Sequence, residues 1–176
     1  WLDGLRWLPS PNFGERPAGE PVSLVVIHNI SLPPDEFGGD RVEDFFLNRL
    51  DPAAHPYFST IAGLQVSAHF LIERDGSLIQ FVLCLDRAWH AGLSSYAGRE
   101  QCNDFSIGIE LEGTDELAYT DLQYAALIAL VRKLLDHYPQ LDRQRICGHS
   151  DIAPGRKTDP GASFDWARLH AALMNA

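Results

Sequence analysis

Residues 148–161 read G-H-S-D-I-A-P-G-R-K-T-D-P-G, and His149, Lys157 and Asp159 fall within eleven positions of one another. Imidazole and carboxylate are both metal ligands, and an ammonium beside them can meet a developing negative charge. Pro154, Gly155, Pro160 and Gly161 exclude a regular helix through the stretch and predict a loop. A further ligand type stands far upstream, where His28 ends the run S-L-V-V-I. Taken singly, a histidine that closes a strand is more often a hydrogen-bonded core residue. Taken together, two His and one carboxylate make a catalytic zinc set. Zn2+ accepts imidazole nitrogen at ~2.0–2.1 Å and carboxylate oxygen at ~2.0–2.2 Å, and three such ligands leave a fourth position for water.

Glu110 and Glu112 lie in S-I-G-I-E-L-E-G. Strand alternation puts both on one face, opposite Leu111. Either could be solvated at a strand end, and either could take a proton from an attacking water. Glu110 sits deeper in the apolar run, where desolvation raises a carboxyl pKa toward the useful range. Lys157, two residues before Asp159, could aim its ammonium at the oxyanion of a tetrahedral intermediate. Tyr57, Trp89 and His90 are candidates for a substrate wall, because aromatic faces pack on sugar rings and ligand stems. Asn29 offers amide groups next to His28. His69, within A-H-F-L-I, reads as a core histidine.

The elements that must position these residues are legible in outline. Residues 22–28 are rich in Val and Ile and predict a buried central strand. A helix is expected from about Val42 to Leu50, and H-P-Y-F-S-T reads as loop. V-S-A-H-F-L-I-E-R and S-L-I-Q-F-V predict two strands joined by a tight Asp-Gly turn. F-S-I-G-I-E-L-E predicts another strand. Thr120 or Asp121 caps a helix to about Tyr138, stopped by Pro139, with Leu122, Ala125, Ala126, Ala129, Leu130 and Leu134 as its buried face. A short strand over Arg145–Cys147 leads into the ligand loop, and Ser163 or Asp165 caps a last helix through Leu173. Residues 1–21 read as an extended N-terminal arm. The order predicts an α/β (α+β) chain forming one domain over 1–176, a central mixed sheet flanked by helices.

Composition narrows the class. The net charge of -10 argues against nucleic acid and anionic membranes as partners. No apolar run approaches the ~20 residues of a membrane span. The N-terminus lacks a basic region followed by an apolar core, so a cytoplasmic enzyme is the expectation. Cys84, Cys102 and Cys147 are an odd count without paired spacing and read as reduced, buried thiols.

Six segments carry a resemblance: V-I-H-N-I-S-L-P-P, D-P-x-x-H-P-Y-F, V-S-A-H-F-L-I-E-R-D-G, R-A-W-H-A-G, C-N-D-F-S-I-G-I-E-L-E-G-T-D and the 148–161 loop. Over about residues 7–170 the chain resembles the zinc amidase-2 family, in its 1,6-anhydro-N-acetylmuramoyl-L-alanine amidase branch. Phage amidase lysozymes and peptidoglycan-recognition proteins belong to the same family. The resemblance implies Zn2+ on His28, His149 and Asp159, a catalytic glutamate at Glu110 rather than Glu112, and a catalytic lysine at Lys157. It implies a muropeptide substrate, cut between the lactyl group of muramic acid and L-alanine during cytoplasmic peptidoglycan recycling, by a monomer. Accumulated anhydro-muropeptides would trigger β-lactamase induction. The same fold also has members that only bind peptidoglycan. All five implied site residues are present here, which favours an enzyme. Ser150 and Gly155 depart from the Cys and Glu expected in that loop, and neither is a ligand.

Overall fold

A computed structural model describes residues 2–174. The chain runs through β1 (Arg6–Trp7), β2 (Phe13–Glu15), β3 (Leu24–Ile30), α1 (Arg41–Phe46) and α2 (Pro56–Thr60). It continues with β4 (Phe70–Ile72), β5 (Leu78–Gln80), β6 (Asp86–Ala88), β7 (Ser95–Tyr96), β8 (Arg99–Glu100) and β9 (Ser106–Glu112). It closes with α3 (Asp121–His137), β10 (Ile146–Gly148), α4 (His149–Ile152) and α5 (Trp166–Met174). Six strands form one mixed sheet in the order β1-β5-β4-β9-β3-β10. Only β4 and β5 pair antiparallel within it.

Alternation along the central strands divides the core. Val25, Ile27, Ile107, Ile109 and Leu111 pack with Leu127, Leu130 and Val131 of α3 and Leu169 of α5. The opposite face carries Leu24, Val26, His28, Gly108 and Glu110. Central strands covered on both faces are expected to be almost wholly apolar, so the buried His28, Glu110 and Glu112 stand out as departures with a purpose.

Several expectations need correction. The N-terminal arm is docked through β1 and β2 and is not a free surface segment. Arg16 donates to the carbonyls of Cys84, Asn103, Asp104 and Ser106, and Asn12 to those of Phe46 and Val66. The stretch expected to be loop forms α2, with Pro56 at its first turn and the His55 ring accepting from Tyr57 N at 3.2 Å. Helix α1 stops at Phe46, short of the expected Leu50. The hairpin link is one residue longer than a two-residue turn: Glu73 N bonds Ser77 O, and Gly76 takes φ +85.

Helix α3 starts where expected, with a Thr120–Gln123 capping box. Its buried face is rotated from the expected one, onto Gln123, Tyr124, Leu127, Leu130, Val131 and Leu134, and Leu122 is exposed. Two polar bonds fix that rotation: the Gln123 amide donates to Glu112 O at 2.8 Å, and Tyr124 Oη accepts from Asp165 N at 2.6 Å. Asp165 Oδ1 accepts from Arg168 N and so caps α5.

Candidate metal centre and active-site groove

Three neighbouring parallel strands deliver the site at their C-terminal ends. His28 ends the apolar stretch of β3 and is the direct register partner of Glu110 on β9. His149 follows β10, whose Gly148 pairs with Ile27. Gly148 cannot carry a side chain, because a Cβ there would lie 2.8 Å from Pro160 Cδ. The ligand loop is not irregular throughout: its first residues form the single turn α4, and Gly148 N donates to Asp151 Oδ2 at 2.7 Å. Beyond that turn no regular helix runs through Pro154 and Gly155, as expected. Ser150 N bonds Asp159 O at 3.0 Å and folds the loop back, which brings the Asp159 carboxylate over the two imidazoles.

His28 Nδ1 lies 3.0 Å from His149 Nδ1 and 3.0 Å from Asp159 Oδ2, and His149 Nδ1 lies 3.1 Å from the same oxygen. A tetrahedral ion with bonds of ~2.0–2.1 Å has ligand–ligand edges of about 3.3 Å. The three atoms therefore converge as one face of such a site. Two imidazole nitrogens this close cannot both keep protons, and two bare lone pairs repel. A cation between them resolves both problems. Burial pushes His28 down to about 4, only partly opposed by its bond to Asp159, so the ring is neutral and ready to donate its lone pair. Burial raises the Asp159 pKa, but bonds from His149 and His28 outweigh it and hold the carboxyl well below its ordinary range.

Glu110 is buried beside this set, and its Oε2 has no hydrogen-bond partner. Burial, then the charge of Asp159, pushes its pKa well above the ordinary value, and the nearby Lys157 charge opposes both. An orphaned carboxylate oxygen on the wall of an open groove is placed to handle a proton from something that enters. Glu112 is different: it accepts from Gly38 N and from Arg74 N and ties two loops to the sheet end. It is buried and engaged, not solvated.

The groove above the centre has a volume of about 420 Å3 and is lined by Glu110, Lys157, Asn29, Tyr57, Trp89, His90 and the three ligand residues. Phe45, Leu64 and Val66 add an apolar wall that the sequence did not single out. Asn29 donates to Asp115 Oδ1 at 2.8 Å, so one of its amide hydrogens is already engaged. His90 borders the groove, but its two ring nitrogens bond inward, to His28 and Ser106. His69 is a core residue as expected, accepting from Gly108 N at 3.0 Å. All three cysteines are free and buried.

A mixed sheet with a buried His–His–Asp set and an unpaired carboxylate at one groove defines an enzyme site able to hold a metal ion. The model of the N-acetylmuramoyl-L-alanine amidase family matches residues 18–162. The 1,6-anhydro-N-acetylmuramyl-L-alanine amidase AmpD of Escherichia coli K12 is 60% identical over 173 residues, 98% of this chain and 94% of that protein. The crystal structure of a selenomethionine AmpD derivative superposes with a TM-score of 0.95 at 58% identity, covering 98% of this chain and 96% of the other. Pseudomonas aeruginosa AmpDh3, solved with an anhydromuramic pentapeptide, gives 0.64 at 30% identity, covering 98% of this chain and 66% of that one. The chain belongs to the N-acetylmuramoyl-L-alanine amidase family and is an amidase.

Proposed function

We propose that this chain hydrolyses the amide between the lactyl group of 1,6-anhydro-N-acetylmuramic acid and the L-alanine of a stem peptide, using one Zn2+ on His28, His149 and Asp159. The observation that carries the metal assignment is the convergence of three ligand atoms at 3.0–3.1 Å beside an orphaned carboxylate. The substrate class is supported by relatives of high identity that bear this activity in their names.

When bound, Zn2+ supplies Lewis acidity toward the amide oxygen and lowers the pKa of water. The chain's own groups do the rest. Glu110 Oε2, free of other bonds, takes a proton from the attacking water as its oxygen adds to the carbonyl carbon. The same carboxyl then gives that proton to the departing nitrogen as the C–N bond breaks. Lys157, exposed at the groove rim, brings positive charge toward the oxyanion that forms meanwhile. Tyr57 and Trp89 offer ring surface to the sugar. The cytoplasmic recycling setting, and action as a monomer, belong to the same proposal.

Mass spectrometry of products from a defined anhydro-muramyl tripeptide tests it. The expected products are the free anhydro-sugar acid and the intact peptide. Cleavage within the peptide, or full activity after chelation and metal removal, would overturn the reading.

A further inference from the structure

The groups behind the two imidazoles form a second, unexpected pattern. His28 Nε2 lies 2.9 Å from His90 Nδ1. His149 Nε2 lies 3.0 Å from the carbonyl oxygen of Ala91. The outer nitrogens of both candidate ligands therefore meet adjacent residues of one short segment. If both Nδ1 atoms present lone pairs to a metal, both Nε2 atoms must carry hydrogen. Ala91 O can only accept, which fixes His149 in that tautomer. His90 Nδ1 must then accept from His28, so the His90 proton sits on Nε2. That nitrogen lies 3.2 Å from Ser106 Oγ, whose own hydroxyl donates to Cys102 O at 2.5 Å. Every donor in the chain has an acceptor, and its direction is set from one end to the other.

The segment is itself held firmly. His90 N and Ala91 N both donate to Asn103 Oδ1, at 3.2 and 2.8 Å. Arg156, from the ligand loop, donates to Ala91 O at 2.7 Å. The His90 ring lies on Gly108, where a Cβ would come within 2.4 Å of its Cγ. This explains the glycine inside an otherwise apolar strand: it makes room for the ring between β9 and His28.

We infer that the His90–Ala91 dipeptide is a clamp that sets the tautomer and orientation of both imidazole ligands, with His90 as a positioning residue for His28. The inference rests on the zinc reading above. Ligating histidines generally give their second N–H to such a partner, and loss of the partner costs about 10–100-fold in metal affinity.

The test is zinc affinity, measured by competition with a chelating indicator on the metal-stripped protein, together with the visible spectrum of the Co2+ form. His90→Leu removes the acceptor, and His90→Asn retains an amide acceptor near the position of Nδ1. His90→Leu should weaken zinc by about 10–100-fold and alter the Co2+ bands, with His90→Asn recovering most of the loss. Parental affinity in His90→Leu overturns the inference. Equal loss in the two variants also overturns it, because ring packing and not hydrogen bonding would then be at work. Should His90→Leu fail to fold, Ser106→Ala decides: it frees the far end of the chain and should weaken zinc several-fold, and an unchanged affinity overturns the clamp. Failure of the parent protein to bind zinc at all would instead reject the metal reading.

Discussion

His28 and Glu110 are direct partners in the register between two parallel strands, so the candidate ligand and the candidate base are neighbours through the sheet itself. A slip of one residue would turn Glu110 to the α3 side and replace it with an aliphatic neighbour. Both strands are buried on both faces, which makes such a slip prohibitive.

The metal set leads to the first prediction. Purified protein should hold one Zn2+ per chain, and His149→Ala should lose it. Zinc at about 100 times its dissociation constant should stabilise the fold by ~2.7 kcal/mol, which for a chain of this size raises the melting temperature by roughly 5–10 °C. Elemental analysis and thermal melts check this. An unchanged metal content in His149→Ala would sink the ligand assignment.

The two glutamates of β9 should separate cleanly. Glu110→Ala should lower kcat about 10²-fold or more, with zinc retained. Glu112→Ala removes the acceptor of two backbone amides and should cost ~2–3 kcal/mol of stability while kcat holds. Steady-state kinetics beside urea unfolding would show it. The reverse pattern would mean that the wrong carboxylate has been chosen as base.

Lys157→Met keeps the side-chain length and removes the charge. An interaction made in the transition state lowers kcat with little change in KM, here by ~10²–10³-fold. A variant with near-normal kcat would return Lys157 to an ordinary surface role.

Stability should fall on both sides of neutrality. Burial, with Arg16 adding to it, pushes His69 down to about 3. An unfolded histidine takes its proton near 6.5, so below that pH the unfolded state binds more protons and stability declines toward pH 3. Burial pushes Cys84 up to about 11. An unfolded thiol ionises near 8.5, so stability also declines as pH rises from there toward 11. Urea midpoints across pH 4–10 at fixed ionic strength should form a plateau with two falling limbs. An acid limb just as steep in His69→Gln would remove His69 from this account.

The parts legible in the sequence were those with local causes. The cap of α3, expected at Thr120 or Asp121 and found at Thr120, the apolar runs of β3 and β9, and the Pro/Gly punctuation after α4 act through near neighbours. The rest depends on distant partners. The arm docks because Arg16 finds carbonyls more than 60 positions away. The buried face of α3 was misjudged because Gln123 and Tyr124 are polar in type yet bond inward. Helix α2 had one signal, Pro56 after His55, short enough to read as a turn. At the site, His28, Glu110, His149, Lys157 and Asp159 could be named from residue type and resemblance, and the structure brings them to one groove. The bonds of His90 had no signature, because a histidine beside a tryptophan looks the same on a wall as behind a ligand.

The long reach of the site bears on how the protein is made. His28 and His149 are 121 positions apart, and β10, which introduces His149, comes after the other strands of the described sheet in chain order. A polypeptide still emerging from the ribosome holds one imidazole and the glutamate long before the second imidazole and Asp159 arrive. It can have no closed ligand set until β10 and the loop after it have been made. A chain truncated before β10 would lack two of the three candidate ligands, His149 and Asp159, however well its first strands have paired.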